Sequence, residues 1–244
     1  MSARIWPSRE WSSGKDSAWL VHVLRQRASV GSGAEIGALL TTINEAAERV
    51  AMHAVRVELL EAQADALGLP LWKIPIPSPC PNEVYERAMA AAVGRAVDEG
   101  FTHVAFGDLF LEDVRRYREE RLAGSGLAPL FPLFGADTPA LAREMVGAGL
   151  VARLTCVDPR VLDRRFAGRD FDARLLAELP PSIDPCGERG EFHSFAYAGP
   201  MFSRPIPIEN GIVVERDGFV FADVHLSPHR PLMFPIVTPS GVFS

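Results

Sequence analysis

Trp11-Ser12-Ser13-Gly14-Lys15-Asp16-Ser17-Ala18 is the stretch on which the reading of this chain turns. Two adjacent hydroxyls, a glycine, a lysine, an aspartate and a third serine run straight into an apolar-periodic segment, Trp19-Leu20-Val21-His22-Val23-Leu24. Small hydroxylated residues at the start of a helix make an anion site, because the first backbone N–H groups are free and the helix dipole favours negative charge there. Gly14 would let the backbone approach a phosphate with no Cβ in the way. Lys15 would bring a point charge, and Ser12, Ser13 and Ser17 would donate hydrogen bonds. Asp16 is out of place beside an anion unless a divalent metal sits on the phosphates. The alternative is a plain helix cap, a job that Ser and Asp also do. The lysine count favours phosphate: among 25 basic residues only Lys15 and Lys73 are lysines, and one of them lies in this loop.

Working outward, 244 residues with 48% hydrophobic and 23% charged content have room for one α/β domain, or one with a smaller companion. A net charge of −6 and a pI near 5.6 count against a broad nucleic-acid footprint. No apolar run approaches the roughly 20 residues of a membrane span, and the N-terminus shows no signal-peptide core. Cys80, Cys156 and Cys186 are far apart, with no C-x-x-C pair, so neither a zinc knuckle nor a disulfide scaffold is indicated. A reducing cytoplasm is the expected location. Composition leaves a homo-oligomer open.

A phosphate loop should follow a buried strand, yet the segment from Arg4 to Trp11 is interrupted by Pro7, Arg9 and Glu10. Beyond the first helix, residues 36–43 read as a buried strand, 55–67 as a helix stopped by Gly68, and 69–76 as a strand near a sheet edge because of its prolines. Residues 44–51 could line a site or form a short helix, and His53 would border a nucleotide. A helix over 82–99, a strand at 102–108, a helix over 111–122, strand 127–134, helix 138–146 and strand 150–157 continue the alternation. Such alternation up to about residue 160 predicts a parallel sheet with helices on both faces. The remainder is turn-rich and ends in a hairpin over 211–224 around Arg216-Asp217-Gly218. The expected division is a nucleotide-binding α/β domain at 1–134 and a smaller α+β substrate-binding unit at 135–244.

Two further constellations carry charge into loops. Gly107-Asp108 ends a strand, so Asp108 would face the crevice at the carboxyl ends of the strands, where open α/β sheets bind ligands. Glu112, Arg116 and Glu120 follow at i,i+4 spacing, which alone would describe a solvated helix face. The stretch Asp184-Pro185-Cys186-Gly187-Glu188-Arg189-Gly190-Glu191-Phe192-His193-Ser194-Phe195 sets carboxylates and a histidine among glycines, which makes a shaped loop. His225 and His229 are separated by Pro228 and cannot share a helical face as a zinc pair. His22 and His103 read as buried core histidines.

These three motifs together carry a resemblance. Residues 12–17 resemble the PP-loop of the adenine nucleotide alpha hydrolase superfamily and do not match a Walker A loop. Gly107-Asp108, three residues, Glu112-Asp113 and then Arg116-Tyr117-Arg118-Glu119 resemble a recurrent motif of the diphthine–ammonia ligase family. Gly187-Glu188-Arg189-Gly190-Glu191, followed by an aromatic residue and by Gly199-Pro200, resembles a third. The similarity runs from Trp11 to about Gly211. It implies a HUP-like nucleotide-binding fold and an ATP- and Mg²⁺-dependent amide ligase. In such an enzyme a substrate carboxylate attacks the α-phosphate, giving an acyl-adenylate and pyrophosphate, and ammonia or an amine then displaces AMP. By the same resemblance, Ser12, Ser13, Gly14, Lys15, Asp16 and Ser17, with Gly107, Asp108 and Glu112, would bind the nucleotide. Asp16 and Asp108 would hold the metal. Lys15 would stabilise charge, and Glu188, Glu191 and His193 would place the acceptor or handle the proton of the amine. Arg189, His193 and Ala198 depart from the diphthamide-making pattern, and the first two look more like bacterial members, so the carboxylate could be a small metabolite or a modified protein side chain. A tRNA-thiolating PP-loop enzyme would need paired cysteines and a basic RNA face, which are missing here. A non-catalytic nucleotide sensor would not need acids in all three motifs.

Overall fold

In the computed structural model, residues 4–7, 11–32, 35–44, 49–50 and 55–228 are described. In chain order the elements are β1 (Arg4–Pro7), α1 (Lys15–Arg27), β2 (Glu35–Ile36), β3 (Leu39–Asn44), β4 (Arg49–Val50), α2 (Val57–Leu67), β5 (Leu71–Ile76) and α3 (Asn82–Asp98). Then follow β6 (His103–Ala105), α4 (Glu112–Leu122), β7 (Ala128–Leu130), α5 (Thr138–Gly147), β8 (Val151–Val157), α6 (Ala173–Glu178), β9 (Phe192–Ala198), β10 (Ile208–Arg216) and β11 (Phe219–Leu226).

The expected strand at 36–43 is broken at Gly37-Ala38 into β2 and β3, which belong to one extended run. β2 pairs with β1, and β3 pairs in parallel with β5. The Gly37 amide donates to Ile5 O, and the Trp11 amide donates to Leu40 O, tying the two parts together. On its other side β1 pairs in parallel with β6, and β6 with β7. The hydrogen-bonded orders are β2-β1-β6-β7 and β4-β3-β5, joined through the β2–β3 run, with β5 at an edge. The poor strand before the loop is short, but it lies centrally between two partners. Strand order reverses between β1 and β6, so the loops after these two strands open into the same crevice.

Side-chain alternation in the strands feeds two cores. Leu39 and Ala105 face the α1–α2 side with Leu20, Leu24, Leu59 and Leu60. Ala38, Leu40, Val104 and Phe106 face α3 and α4 with Met89, Ala92, Ala96 and Leu122. Helices thus cover both faces, as the alternation required.

The strand at 150–157 departs from expectation. It does not extend the parallel sheet. β8 pairs antiparallel with β9 and β11, and β10 completes a separate sheet in the order β10-β11-β8-β9. The partners of β8 all lie later in the chain, so the strand–helix rhythm before it could not reveal its sheet. The hairpin expected at 211–224 spans β10 and β11, and Asp217 and Gly218 both have positive φ, 53° and 79°, as a type I′ turn requires. This second sheet packs on the α1–α2 side, and one continuous core joins Trp19, Leu20 and Leu59 to Phe166, Phe171, Phe195 and Val224.

Candidate functional site

Three chain segments meet at a cleft of about 230 Å³ outside the ends of β1 and β6. Its first wall is the start of α1, its second the turn after β6 with α4, and its third the loop that leads into β9.

The first wall is rigidly built. Trp11 is fully buried, and its indole N–H donates to Gln63 Oε1 at 2.8 Å. Gln63, on α2 and itself buried, turns its amide N–H groups to Ser13 O at 2.9 Å and Ala196 O at 2.6 Å. The Ala196 amide also donates to Ser13 O. These bonds hold Ser13 at φ 63°, a left-handed conformation that costs a non-glycine residue about 1–2 kcal/mol. The chain thereby turns sharply into α1. Gly14 occupies the N-cap position and has no side chain to cap with. A Cβ there would lie 3.2 Å from Ser12 Oγ and 3.3 Å from Ser194 O, so the glycine permits the close approach of β9. Ser12 Oγ accepts from the Gly14 amide at 3.3 Å and bonds Ser17 Oγ at 2.9 Å, while the Lys15 amide donates to Ser194 Oγ at 3.2 Å.

Lys15 is 2% exposed. Its ammonium donates to Asp16 Oδ2 at 2.7 Å and to the Cys186 carbonyl, and stands 5.5 Å and 5.3 Å from the ring centroids of Phe171 and Phe192. Burial alone would depress its pKa, but Asp16 and other nearby negative groups outweigh burial and hold it above the ordinary lysine value. Asp16 Oδ1 is buried with no hydrogen-bond partner.

On the second wall, Gly107 lies against the backbone of Asp16 and Ser17, which sets the following Asp108 beside the start of α1. Asp108 Oδ1 accepts from Arg118 Nη2 at 3.0 Å. Arg118 Nε is 2.8 Å from Asp108 Oδ2, within ion-pair reach but out of hydrogen-bond alignment. The guanidinium lies 4.5 Å above the Phe106 ring.

The third wall is a loop folded around its own carboxylates. Asp184 accepts from the Cys186 and Glu188 amides, and Glu191 accepts from the Asp184 and Arg189 amides. Gly187 sits at φ 69°, where a Cβ would come within 2.9 Å of Phe192 O. The loop thus presents the Cys186 carbonyl to Lys15 and the Glu188 side chain to the cleft. Glu188 accepts from the Leu109 amide at 2.8 Å. Burial pushes its carboxyl up to about 7; that amide and Lys15 oppose the rise, while Asp16 and Asp108 add to it. Burial and Lys15 lower the His193 pKa against the opposing pull of Asp16. Burial lifts the Cys186 thiol to about 12, so it stays protonated at neutral pH.

Of the residues singled out in the sequence, Ser12, Gly14, Lys15, Asp16, Ser17, Gly107, Asp108, Glu188 and His193 line the cleft. Ser13 lies beneath it as the backbone pivot. Glu191 is buried with both carboxylate oxygens on backbone amides, which makes it a brace for the loop rather than a group facing the cleft. Glu112 is exposed on the first turn of α4, outside the lining. His53, His229 and most of 44–51 lie outside the described residues. Arg118 and Ser194 fall inside stretches that the sequence marked but gave no role, while Gln63 and the Cys186 carbonyl were not marked at all. The Asp108–Arg118 spacing of ten could have pointed to Arg118, but Arg115, Arg116 and Arg121 on the same helix offer near-equivalent spacings. A second cavity of about 220 Å³ between α3 and α4 is lined mainly by apolar groups such as Met89, Val93, Phe106 and Leu122, with the Glu86–Arg121 pair as its charged lining.

Comparison with known proteins adds two findings. Residues 8–127 match the family model described as the diphthamide synthase N-terminal domain, and residues 137–221 match its C-terminal domain. A human diphthine–ammonia ligase is 30% identical over 120 residues, a match that covers 47% of this chain and 45% of that relative's length.

Proposed function

Because the chain belongs to the diphthamide synthase family, we propose that the cleft is the active site of an ATP-dependent amide ligase, which adenylates a substrate carboxylate and passes the acyl group to ammonia or an amine. The observation that carries this reading is the convergence on one cleft of the phosphate-type loop, the acid turn after β6 and a carboxylate poised near pH 7.

The start of α1, with Ser12, Ser17 and its dipole, would take the pyrophosphate side of the nucleotide. Lys15 would oppose the charge that develops on the phosphates; fully buried and already ion-paired, it needs no reorganisation to do so. Asp16 has a buried oxygen with no partner, which fits a divalent cation, and Asp108 adds a second carboxylate. Mg²⁺ held there would neutralise phosphate charge and orient the leaving pyrophosphate. Among the described residues no group of three His, Cys, Asp or Glu side chains could hold a metal alone, so phosphate oxygens would complete its coordination. Glu188, ionised above about pH 7, would accept the proton that the nitrogen nucleophile loses as the amide forms. His193, kept neutral, would orient the acceptor.

The test is pyrophosphate release from ATP and Mg²⁺ in the presence of a panel of carboxylates and ammonium. A Lys15→Ala or Asp16→Ala protein should lose at least a hundredfold in rate. Undiminished release from either variant, or no release with any carboxylate, would overturn the assignment.

A further inference from the structure

Among the described residues, three of the buried polar atoms that lack an aligned hydrogen-bond partner belong to groups lining this cleft: Asp16 Oδ1, Asp108 Oδ2 and Arg118 Nε. Two of them face each other in a single ion pair, 2.8 Å apart and misaligned. The Asp108–Arg118 pair is therefore incompletely satisfied at 12% and 20% side-chain exposure, in a place where unsatisfied polar groups are costly.

Arg118 also differs from the other arginines of α4. Arg115 lies over Phe131 and Phe134 and pairs with Glu119. Arg121 pairs with Glu86, and Arg116 is exposed. Arg118 alone among them lines the cleft, resting over Phe106, with its guanidinium turned to Asp108. Asp108 stands next to Gly107, which lies against Asp16 and Ser17. The guanidinium is thus carried beside the positive end of α1, where phosphates would lie. Lys15 lines the same cleft, but its ammonium is already held by Asp16 and the Cys186 carbonyl and flanked by two rings, so it offers charge rather than a free fork of donors.

We propose that Arg118 is a phosphate-binding residue of the cleft, held in reserve by Asp108, and that entering phosphoryl oxygens take the guanidinium from the carboxylate. A planar fork of donors matches phosphoryl oxygens in bidentate fashion, which a lysine would not. The exchange leaves neither charge stranded: Arg118 gains the phosphate, and Asp108 is released toward the cation that accompanies it. The proposal rests on reading the cleft as a nucleotide site, and it makes Asp108 a competitor of phosphate whenever no divalent cation is present.

That competition gives the test its sign. Pyrophosphate is titrated calorimetrically into the full-length protein in the presence of a chelator. Arg118→Met should weaken binding about tenfold or more, the loss expected for a charge-assisted contact. Asp108→Asn should tighten it several-fold, because the amide holds the guanidinium less strongly. A purely structural pair would weaken binding in both variants. Unchanged affinity in Arg118→Met, or equal or weaker affinity in Asp108→Asn, overturns the inference; if Arg118→Met does not fold, Asp108→Asn decides alone. The underlying reading is checked separately by Mg²⁺-ATP binding to the wild type, and a wild type that binds neither ATP nor pyrophosphate removes both.

Discussion

Glu188 shows how one position can combine loop geometry with proton chemistry. Its folded pKa of about 7 lies above the model-peptide value for glutamate, about 4.3. Between those two values the folded protein holds a proton that the unfolded chain has released. Stability must therefore fall as pH rises through this window, the reverse of the usual carboxylate contribution. Glu188→Gln should flatten that fall, which urea unfolding at pH 5 and pH 7.5 would read directly. The same titration should appear in catalysis: kcat/KM should rise with pH up to about 7 in the wild type, and this limb should vanish in Glu188→Gln. An identical acid limb in both proteins would remove Glu188 from the proton path. The residues that reach the cleft were legible where side-chain chemistry is concentrated in a loop, as at Lys15, Asp16, Asp108, Glu188 and His193. Gln63 and the Cys186 carbonyl were not, for physical reasons. A single glutamine in a helical pattern gives no sign that three loop and strand groups will converge on it, and a backbone carbonyl has no signature of its own.

At the scale of elements, the site depends on two joints. The first is the contact of α2 with the turn into α1. Replacing Gln63 by leucine would leave the Trp11 indole N–H and the Ala196 carbonyl buried without partners. At about 1–3 kcal/mol per orphaned group, Gln63→Leu should destabilise the protein by roughly 2–6 kcal/mol, measured by denaturant unfolding. The second joint is Gly187. Gly187→Ala adds left-handed strain of about 1–2 kcal/mol to a contact of 2.9 Å with the Phe192 carbonyl, whereas a Cβ on Gly190 meets nothing within 4 Å. Gly187→Ala should therefore cost clearly more stability than Gly190→Ala and should also weaken nucleotide binding by shifting the Cys186 carbonyl away from Lys15. Equal effects at the two glycines would show that the loop is not tied to Phe192 in this way. The elements themselves were largely legible from periodicity and breakers; β8 was not assigned to its sheet, because a buried apolar strand reads alike in a parallel and an antiparallel setting.

For the whole molecule, the question is whether the two units expected on either side of residue 134 are two bodies or only two topologies. The family models match 8–127 and 137–221 as distinct domains, which describes descent. The packing couples them. One core runs from Leu20 and Leu59 through Phe166, Phe195 and Val224, and Gln63 and Ser13 bond to β9 across the boundary. The charge pattern couples them further. Lys15 belongs to the first unit, but its carbonyl partner Cys186 and the rings of Phe171 and Phe192 belong to the second. A fragment of residues 1–134 would expose the apolar face of α1 and α2 and return Lys15 to solvent, where its tie to Asp16 shrinks to that of a surface pair. The full chain should accordingly unfold in one calorimetric transition, with matching calorimetric and van't Hoff enthalpies. The 1–134 fragment should show no cooperative transition and no measurable ATP affinity. A fragment that melts cooperatively and binds ATP like the whole protein would mean that the second unit only adds a substrate surface. The geometry argues instead that the second unit completes the cleft itself, because the buried lysine is held from above by β9 and its preceding loop.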